Sequence, residues 1–262
     1  MSEGGTRAPD PLGRARTLLH DAARVVVLTG AGISAESGVP TFRAAGGLWK
    51  SFRPEELATP EAFARDPRVV WEWYAWRREL VARCVPNEGH LALARLGLRD
   101  DRDVLIVTQN VDGLHHRAAR EAAQTADHRR ATPLELHGAI HRDRCSVCGV
   151  KTAGAAEVDL SDASTLPRCA ACGGALRPDV VWFGEALDPE TIDEAFDAAR
   201  AADLCLVVGT SALVHPAASI PAATLHAGGA LVEVNLEPTP LTPLATASLR
   251  GAAGQVLPAL IG

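Results

Sequence analysis

The fold is decided by the segment Gly30-Ala31-Gly32-Ile33-Ser34-Ala35-Glu36-Ser37-Gly38-Val39-Pro40-Thr41-Phe42-Arg43, which follows the apolar run Val25-Val26-Val27-Leu28. Glycines at this point let the backbone turn sharply and approach a ligand closely, because they lack a Cβ. A helix that opens after such a turn presents unpaired N–H groups and a positive dipole end, which suits a pyrophosphate. Gly-x-Gly also occurs in ordinary strand-to-helix turns, so the segment alone leaves both interpretations open.

The composition limits the class of protein. The chain has 262 residues, enough for one large domain or for a domain with a smaller insertion. With 47% hydrophobic and 22% charged residues it can bury a substantial core. A net charge of −6 without a basic run argues against a nucleic-acid partner. The sequence has neither a signal-peptide pattern nor an apolar run long enough for a membrane span, so we expect a cytoplasmic protein without a membrane partner.

Further apolar runs have the length of buried strands, at residues 104–108, 204–208 and 230–234, with helical stretches between them. This alternation predicts a parallel sheet with helices on both faces. Polar clusters follow the strands at 30–43, 109–112, 209–211 and 235–237. Since ligands bind beyond the carboxyl ends of parallel strands, the four clusters predict one shared crevice.

Four of the six cysteines form two Cys-x-x-Cys pairs, Cys145 with Cys148 and Cys169 with Cys172, separated by 20 residues. Two such pairs provide the closed four-sulfur shell of a structural Zn²⁺. A closed shell has no open position for water, so we expect the metal to stabilise the fold and not to catalyse. Cys84 and Cys205 are expected to pack as small apolar residues.

The motifs in this order resemble the sirtuins, the NAD-dependent protein deacylases. The resemblance covers almost the whole chain. It rests on 30–43, Gln109-Asn110-Val111-Asp112-Gly113-Leu114-His115, Leu136-His137-Gly138, the four cysteines, Val181-Trp182-Phe183-Gly184-Glu185, Gly209-Thr210-Ser211 and Asn235-Leu236-Glu237.

The resemblance implies an α/β fold: a Rossmann-like parallel-sheet domain that binds NAD, with a smaller helical and zinc-binding domain inserted. The large domain would comprise residues 12–43, 86–137 and 183–262, and the small one 44–85 and 138–182. NAD would be consumed as a co-substrate, and acylated lysine side chains of proteins would enter between the domains. The oligomeric state is not fixed by the sequence.

The same resemblance implies which residues contact NAD. Asn110 and Asp112 would line the nicotinamide pocket and Gln109 the ribose, while Ser211, Asn235 and the region of Ala253 would contact the adenosine half. The complete set of predicted NAD contacts is Gly30, Ala31, Gly32, Ile33, Ser34, Ala35, Glu36, Thr41, Phe42, Arg43, Trp49, Gln109, Asn110, Val111, Asp112, Gly209, Thr210, Ser211, Asn235, Leu236, Glu237 and Ala253.

The reaction that the resemblance implies needs a general base, because a ribose hydroxyl must attack an imidate after nicotinamide has left. Histidine suits this step, since its pKa lies near neutrality. The resemblance selects His137, with Asn110 and Asp112 as the other catalytic residues. The other eight histidines are expected at the surface or in packing.

The helical segment 71–78 bears on the acyl group. Tyr74 and Arg77 are three residues apart, so they are neighbours on one helix face and together suit a carboxylate. An amphipathic helix with solvated arginines would explain them equally well. The pair resembles the Tyr-x-x-Arg of the sirtuin branch that removes succinyl, malonyl and glutaryl groups, and Ala58 resembles the small residue that widens its pocket. The predicted substrate contacts are Ala58, Tyr74, Arg77, Val181, Phe183, Gly184 and Glu185.

Three other functions are alternatives to a protein deacylase. A Rossmann dehydrogenase would have a third glycine where Ala35 stands and an acidic residue near Lys50. A zinc-binding module without catalysis would not need Asn110, Asp112 and His137 together. A mono-ADP-ribosyltransferase shares the step that releases nicotinamide, and it stays open beside a deacylase that acts mainly on acetyl-lysine.

Overall fold

The computed structural model describes residues 10–40, 53–123, 127–155 and 157–262. Nine strands lie in these residues: β1 Arg24–Thr29, β2 Asp103–Thr108, β3 Leu134–Glu135, β4 Gly138–Cys145, β5 Lys151–Ala153, β6 Leu176–Val180, β7 Leu204–Val208, β8 Ala230–Asn235 and β9 Ala247–Arg250. The α-helices of the same residues are α1 Pro11–Asp21, α2 Pro54–Leu57, α3 Pro60–Arg65, α4 Pro67–Ala82, α5 Glu88–Gly97, α6 Leu114–Ala123, α7 Pro189–Ala201, α8 Ile220–His226 and α9 Ala253–Ile261.

Six strands form one parallel sheet in the order β3-β2-β1-β7-β8-β9. The chain order runs outward from β1 in one direction and from β7 in the other. The strand order therefore reverses between β1 and β7, and a crevice opens at such a point beyond the carboxyl ends of the strands. The predicted parallel sheet is confirmed, and its switch point falls beside Gly30.

Alternate residues of β1 enter two separate cores, as a strand buried on both faces requires. Val25 and Val27 pack on one face with α1, α5 and α9, whereas Val26 and Leu28 pack on the other face with α7 and α8. All four side chains are at most 3% exposed. The sheet is a central layer between two helical layers, which is the arrangement that the sequence predicts.

Three strands form a separate antiparallel sheet in the order β5-β4-β6. Helix α4 packs on it through a third core that includes Trp73, Tyr74, Ile140 and Trp182. Arg78 fastens the helix to β4: its Nε donates to the carbonyl oxygen of Ile140 at 2.7 Å, and its Nη2 to Asp143 Oδ1 at 2.6 Å. The strands and helices of this unit fall within 44–85 and 138–182, the residues assigned to the small domain. The exact domain boundaries stay a prediction.

The first glycine turn leads into a 3₁₀ helix, Ala31–Ser37, and it ends at Gly38 with a φ of 86°. Within the described residues, no helix combines the length and apolarity that crossing a membrane requires.

Candidate active site

The glycines of the first turn serve a close contact between two backbone segments. Gly30 N donates to the carbonyl oxygen of Val208 at 3.0 Å, and Gly32 N to that of Gly209 at 2.7 Å. A Cβ on Gly30 would lie 2.7 Å from Thr210 Cβ, and one on Gly32 would lie 2.7 Å from Gly209 Cα. The sequence predicts a close approach to a ligand at these glycines. In the structure, the backbone that follows β7 occupies that side of both glycines.

The loop after β2 carries three of the predicted polar residues to the same edge. Gln109 Nε2 donates to Thr210 Oγ1 at 3.0 Å and thereby connects the ends of β2 and β7. Asn110 Nδ2 donates to the carbonyl oxygen of Gly30 at 3.1 Å. Asp112 Oδ1 accepts the backbone N–H of Leu114 at 2.9 Å, at the start of α6. Asn110 and Asp112 are 8% and 6% exposed, so both lie inside the crevice and not on its rim.

A buried hydrogen-bond network lies beneath this loop and includes His90. Nδ1 of His90 faces the backbone N–H of Asn87 at 3.4 Å, so Nε2 carries the ring proton and donates to Ser34 Oγ at 3.3 Å. Ser34 Oγ also accepts from Asn110 Nδ2 at 3.2 Å and donates to Asp112 Oδ2 at 2.7 Å. The network therefore holds both side chains that the resemblance places in the nicotinamide pocket.

Burial sets the protonation of this network. It lowers the pKa of His90 to about 4, and it lowers the pKa of His115 well below its ordinary value, with a further lowering from neighbouring His90 and His116. It also raises the pKa of Asp112, which the bonds from Leu114 and Ser34 oppose. The two histidines stack edge to face at 4.9 Å, and His115 Nε2 lies 3.0 Å from Thr29 Oγ1.

His137 lies between β3 and β4 with its ring oriented by one backbone contact. Its Nδ1 is 2.9 Å from the carbonyl oxygen of Gln109. A carbonyl only accepts, so the proton is on Nδ1 and Nε2 keeps a free lone pair. Burial lowers the pKa of His137 from its ordinary value, against a smaller opposite effect of the bond to Gln109. The ring is therefore a neutral base at neutral pH.

Residues predicted for the adenosine half lie at or just after the carboxyl ends of β7 and β8 and at the start of α9. Asn235 Nδ2 donates to the carbonyl oxygen of Thr210 at 2.7 Å, so the ends of β7 and β8 are joined. Glu36 accepts the backbone N–H of Gly254 at 2.7 Å, next to the buried Ala253. Leu236 is 60% exposed at the same edge. Ser211 and Glu237 belong to the same two loops.

The segment 181–185 connects His137 to the small sheet. Val181 N donates to the carbonyl oxygen of His137, and Phe183 N to that of Ala58, both at 2.9 Å. Gly184 has a φ of 85°. The carboxylate of Glu185, predicted to contact substrate, is engaged inside the protein by Arg144, Arg177 and a backbone N–H.

Tyr74 and Arg77 lie together on α4, as their spacing predicts. Tyr74 is fully buried, whereas Arg77 is partly exposed. The Arg77 guanidinium lies over the Trp73 ring at 4.8 Å and the Tyr74 ring at 5.5 Å. Burial lowers the pKa of Arg77 from its ordinary value, while neighbouring Tyr74 and the negative charge of Asp112 oppose this lowering. Asp112 belongs to the crevice at the edge of the large sheet, so a charged group of this crevice acts on Arg77.

The cysteine cluster is confirmed as a group that fits a metal ion. The four Sγ atoms all lie within 4.8 Å of one another, with 3.5 Å between Cys145 and Cys172 and 3.7 Å between Cys148 and Cys169. Tetrahedral zinc with bonds of about 2.3 Å requires sulfurs about 3.8 Å apart. Cys84 and Cys205 are buried away from the cluster, as expected.

Four of the predicted NAD contacts, Thr41, Phe42, Arg43 and Trp49, lie outside the described residues. His90 and His115 were missed, because an isolated histidine has no spacing that separates it from a packing residue. The Asn-x-x-His at the start of α5 forms a capping box and was the available signal.

Comparison with known proteins identifies the family. The model of the Sir2 family matches residues 30–216. NAD-dependent protein deacylase 2 of Pyrobaculum aerophilum is 49% identical over 246 residues, covering 93% of this chain and 92% of the relative. The NAD-dependent protein deacylase of Thermus thermophilus is 51% identical over 243 residues, with 91% and 89% covered.

Solved structures agree with this. A Sir2 homologue in complex with NAD superposes with a TM-score of 0.84 at 44% identity, covering 95% of this chain and 92% of that one. A Sir2 complex with a p53 peptide and NAD⁺ gives a TM-score of 0.78 at 30% identity, with 92% and 93% covered. This chain belongs to the Sir2 family.

Proposed function

We propose that this protein is an NAD-dependent protein-lysine deacylase that favours succinyl, malonyl or glutaryl groups and also accepts acetyl. The activity itself rests on the family and on relatives named NAD-dependent protein deacylases. The products are nicotinamide, the free lysine and O-acyl-ADP-ribose. The acyl preference rests on residues of this chain alone.

The orientation of His137 is the observation that carries the catalytic part. The Nδ1–H group donates to the Gln109 carbonyl oxygen. Nε2 is therefore the atom that removes a proton from a ribose hydroxyl. NAD, when bound, supplies the electrophilic ribose carbon. Asn110 and Asp112, held by Ser34, form the wall of the nicotinamide pocket. The backbone bond between Val181 and His137 keeps the peptide-binding segment in register with the base.

We assign the two structural units to the two substrates, with the domain bounds given above. NAD lies against the carboxyl edge of the large sheet, at the switch point between β1 and β7. The acyl-lysine enters between this edge and the small unit, along residues 181–184. One Zn²⁺ held by the four cysteines stabilises the small unit.

The acidic-acyl preference rests on the cation of Arg77 beside the hydroxyl of Tyr74. Arg77 carries a permanent charge, and its planar guanidinium can bind a carboxylate at the far end of the acyl chain. Burial raises the pKa of Tyr74 to about 12, so the phenol keeps its proton and donates. Ala58 is small and buried, and its carbonyl bonds to Phe183 at the entrance of the proposed acyl site.

The test compares Arg77→Met with the unchanged protein on succinylated and acetylated versions of one peptide, with NAD. A hydrogen bond to a charged group contributes roughly 1.5–3 kcal/mol, about 10- to 100-fold in rate. We expect kcat/KM for the succinyl peptide to fall by about that factor and the acetyl value to fall much less. Equal losses on both peptides would remove the acidic-acyl preference and leave an acetyl-lysine deacetylase.

The matched control is Arg83→Met, since Arg83 is an exposed arginine just beyond the end of the same helix. This variant should leave kcat/KM for both peptides unchanged. Mass spectrometry of the products decides the remaining alternative. Free O-acyl-ADP-ribose is expected, whereas a protein labelled with ADP-ribose would indicate a mono-ADP-ribosyltransferase.

A further inference from the structure

Trp182 makes a directed contact with the proposed acyl site. Its indole Nε1–H donates to the Tyr74 hydroxyl oxygen at 2.8 Å, and both residues are buried, at 3% and 0% exposure. An indole N–H can only donate. The Tyr74 oxygen is therefore the acceptor in this pair, and the phenol proton cannot point at Trp182.

Trp182 is held in place on its ring and on its backbone. The Arg177 guanidinium lies 3.7 Å from the centre of the indole ring. The backbone N–H of Trp182 donates to Glu185 Oε2 at 2.8 Å, and the same carboxylate accepts from Arg177 at 2.6 Å and from Arg144 at 2.9 Å. With the ring and the backbone both fixed, the indole N–H has one direction.

Arg77 lies beside Tyr74, with its guanidinium carbon 5.5 Å from the centre of the Tyr74 ring. Burial raises the pKa of Tyr74, and the positive charge of nearby Arg77 opposes this rise. The Tyr74 oxygen accepts the bond from Trp182, so its own O–H proton is still available to donate to a ligand. A carboxylate beside Arg77 would accept a second hydrogen bond from this O–H, and the bond is charge-assisted because the acceptor is ionised.

We propose that Trp182 is a positioning residue for acyl selection: its N–H fixes the Tyr74 hydroxyl so that the phenol proton is directed at the acyl carboxylate. This rests on the proposed preference for acidic acyl groups. The residue acts through Tyr74 and does not itself touch the carboxylate. Its effect is therefore on the ratio of succinyl to acetyl kcat/KM.

The first test measures this ratio in Trp182→Phe, which keeps an aromatic ring and removes the donor. We expect the ratio to fall about three- to tenfold, the value of one neutral hydrogen bond. Tyr74→Phe removes the phenol and should lower the ratio by at least as much. In the double variant, Trp182→Phe should change the ratio no further, because the group through which it acts is gone.

Trp71→Phe is the matched control. Trp71 also lies on α4, is fully buried, and donates its indole N–H to a backbone carbonyl, that of Leu176, at 3.2 Å. It loses the same atoms, but its indole N–H bonds to Leu176 and not to the Tyr74 hydroxyl. We expect it to lower stability and leave the ratio unchanged.

A second variant covers the case in which Trp182→Phe fails to fold. Site-specific replacement of Trp182 by benzothienylalanine exchanges the N–H for sulfur and keeps the shape of the ring, and the same fall in ratio is expected. An unchanged ratio in a folded variant, or an equal fall in the Tyr74→Phe background, overturns the role of Trp182. A wild-type protein without any succinyl preference instead overturns the proposed function.

Discussion

The cysteine cluster and the buried network around Ser34 are both sets of four polar side chains, but they are assembled differently. The cysteines come from two copies of one short turn within residues 145–172. The network joins a 3₁₀ helix, the first turn of α5 and the loop after β2, through Ser34, His90, Asn110 and Asp112. One site is local in the sequence, whereas the other exists only once the large sheet has formed.

The two cysteine turns have the same internal geometry. Gly149 N donates to the carbonyl oxygen of Cys145 at 3.1 Å, and Gly173 N to that of Cys169 at 2.8 Å. Both glycines have a φ of 73°, which other residues rarely adopt. Each turn thus places its two cysteines where both sulfurs can reach one metal ion.

The largest effect should follow from removing one cysteine. Cys169→Ser leaves three sulfurs, and structural zinc in small sites is worth about 10–16 kcal/mol. We expect a loss of the single zinc per chain and unfolding of the small sheet β5-β4-β6. Metal analysis and thermal unfolding of the purified protein measure both.

Cys84→Ser is the control, because Cys84 is a buried thiol whose Sγ lies 3.4 Å from the carbonyl oxygen of Leu80, far from the cluster in sequence. It should keep one zinc per chain. A Cys169→Ser protein that retains zinc and an unchanged melting temperature would show that the four sulfurs do not act as one site.

The contrast between a site within one short segment and a site formed by distant segments also explains what the sequence could predict. Spacing alone located the cysteines, and apolar runs located β1, β2, β7 and β8, since both signals are local. His90 and His115 were assigned to surface or packing roles, because their partners, Ser34 and Thr29, are more than fifty residues away. The inward role of Glu185 was missed although one of its arginine partners, Arg177, is only eight residues away; the other, Arg144, lies 41 residues before it.

The second effect concerns the base at the edge of the large sheet. His137→Ala removes the lone pair on Nε2, and a positioned general base contributes about 10²–10⁴-fold. We expect NAD-dependent deacylation to fall by that factor while the melting temperature changes little, because the ring makes one backbone contact. Activity near that of the unchanged protein would rule out His137 as the base.

His128→Ala is the matched control, since His128 is exposed in a short 3₁₀ helix and should be dispensable. The pH profile adds a second measurement. Burial lowers the pKa of His137, so the base is still neutral at pH values somewhat below about 6.5, the ordinary pKa of histidine. The acid limb of kcat/KM should therefore lie below that pH.

The smallest effect tests the network itself. Burial holds the pKa of His90 at about 4, against about 6.5 in an unfolded chain. Between these pH values the unfolded chain binds a proton that the folded protein does not, so stability is lost as the pH falls. At pH 4 the loss of unfolding free energy caused by His90 amounts to about 3 kcal/mol. His90→Asn removes this loss, so the unfolding free energy of the variant should fall less steeply between pH 6.5 and 4.

His20→Asn provides the comparison, because the His20 side chain is 86% exposed on α1. Loss of zinc at low pH affects both variants equally, so the difference between their slopes isolates His90. If His90→Asn kept the full slope, His90 would be charged in the folded protein. It would then need an acceptor at Nδ1, where the backbone N–H of Asn87 is located, and the acceptor role assigned to Nδ1 would be wrong.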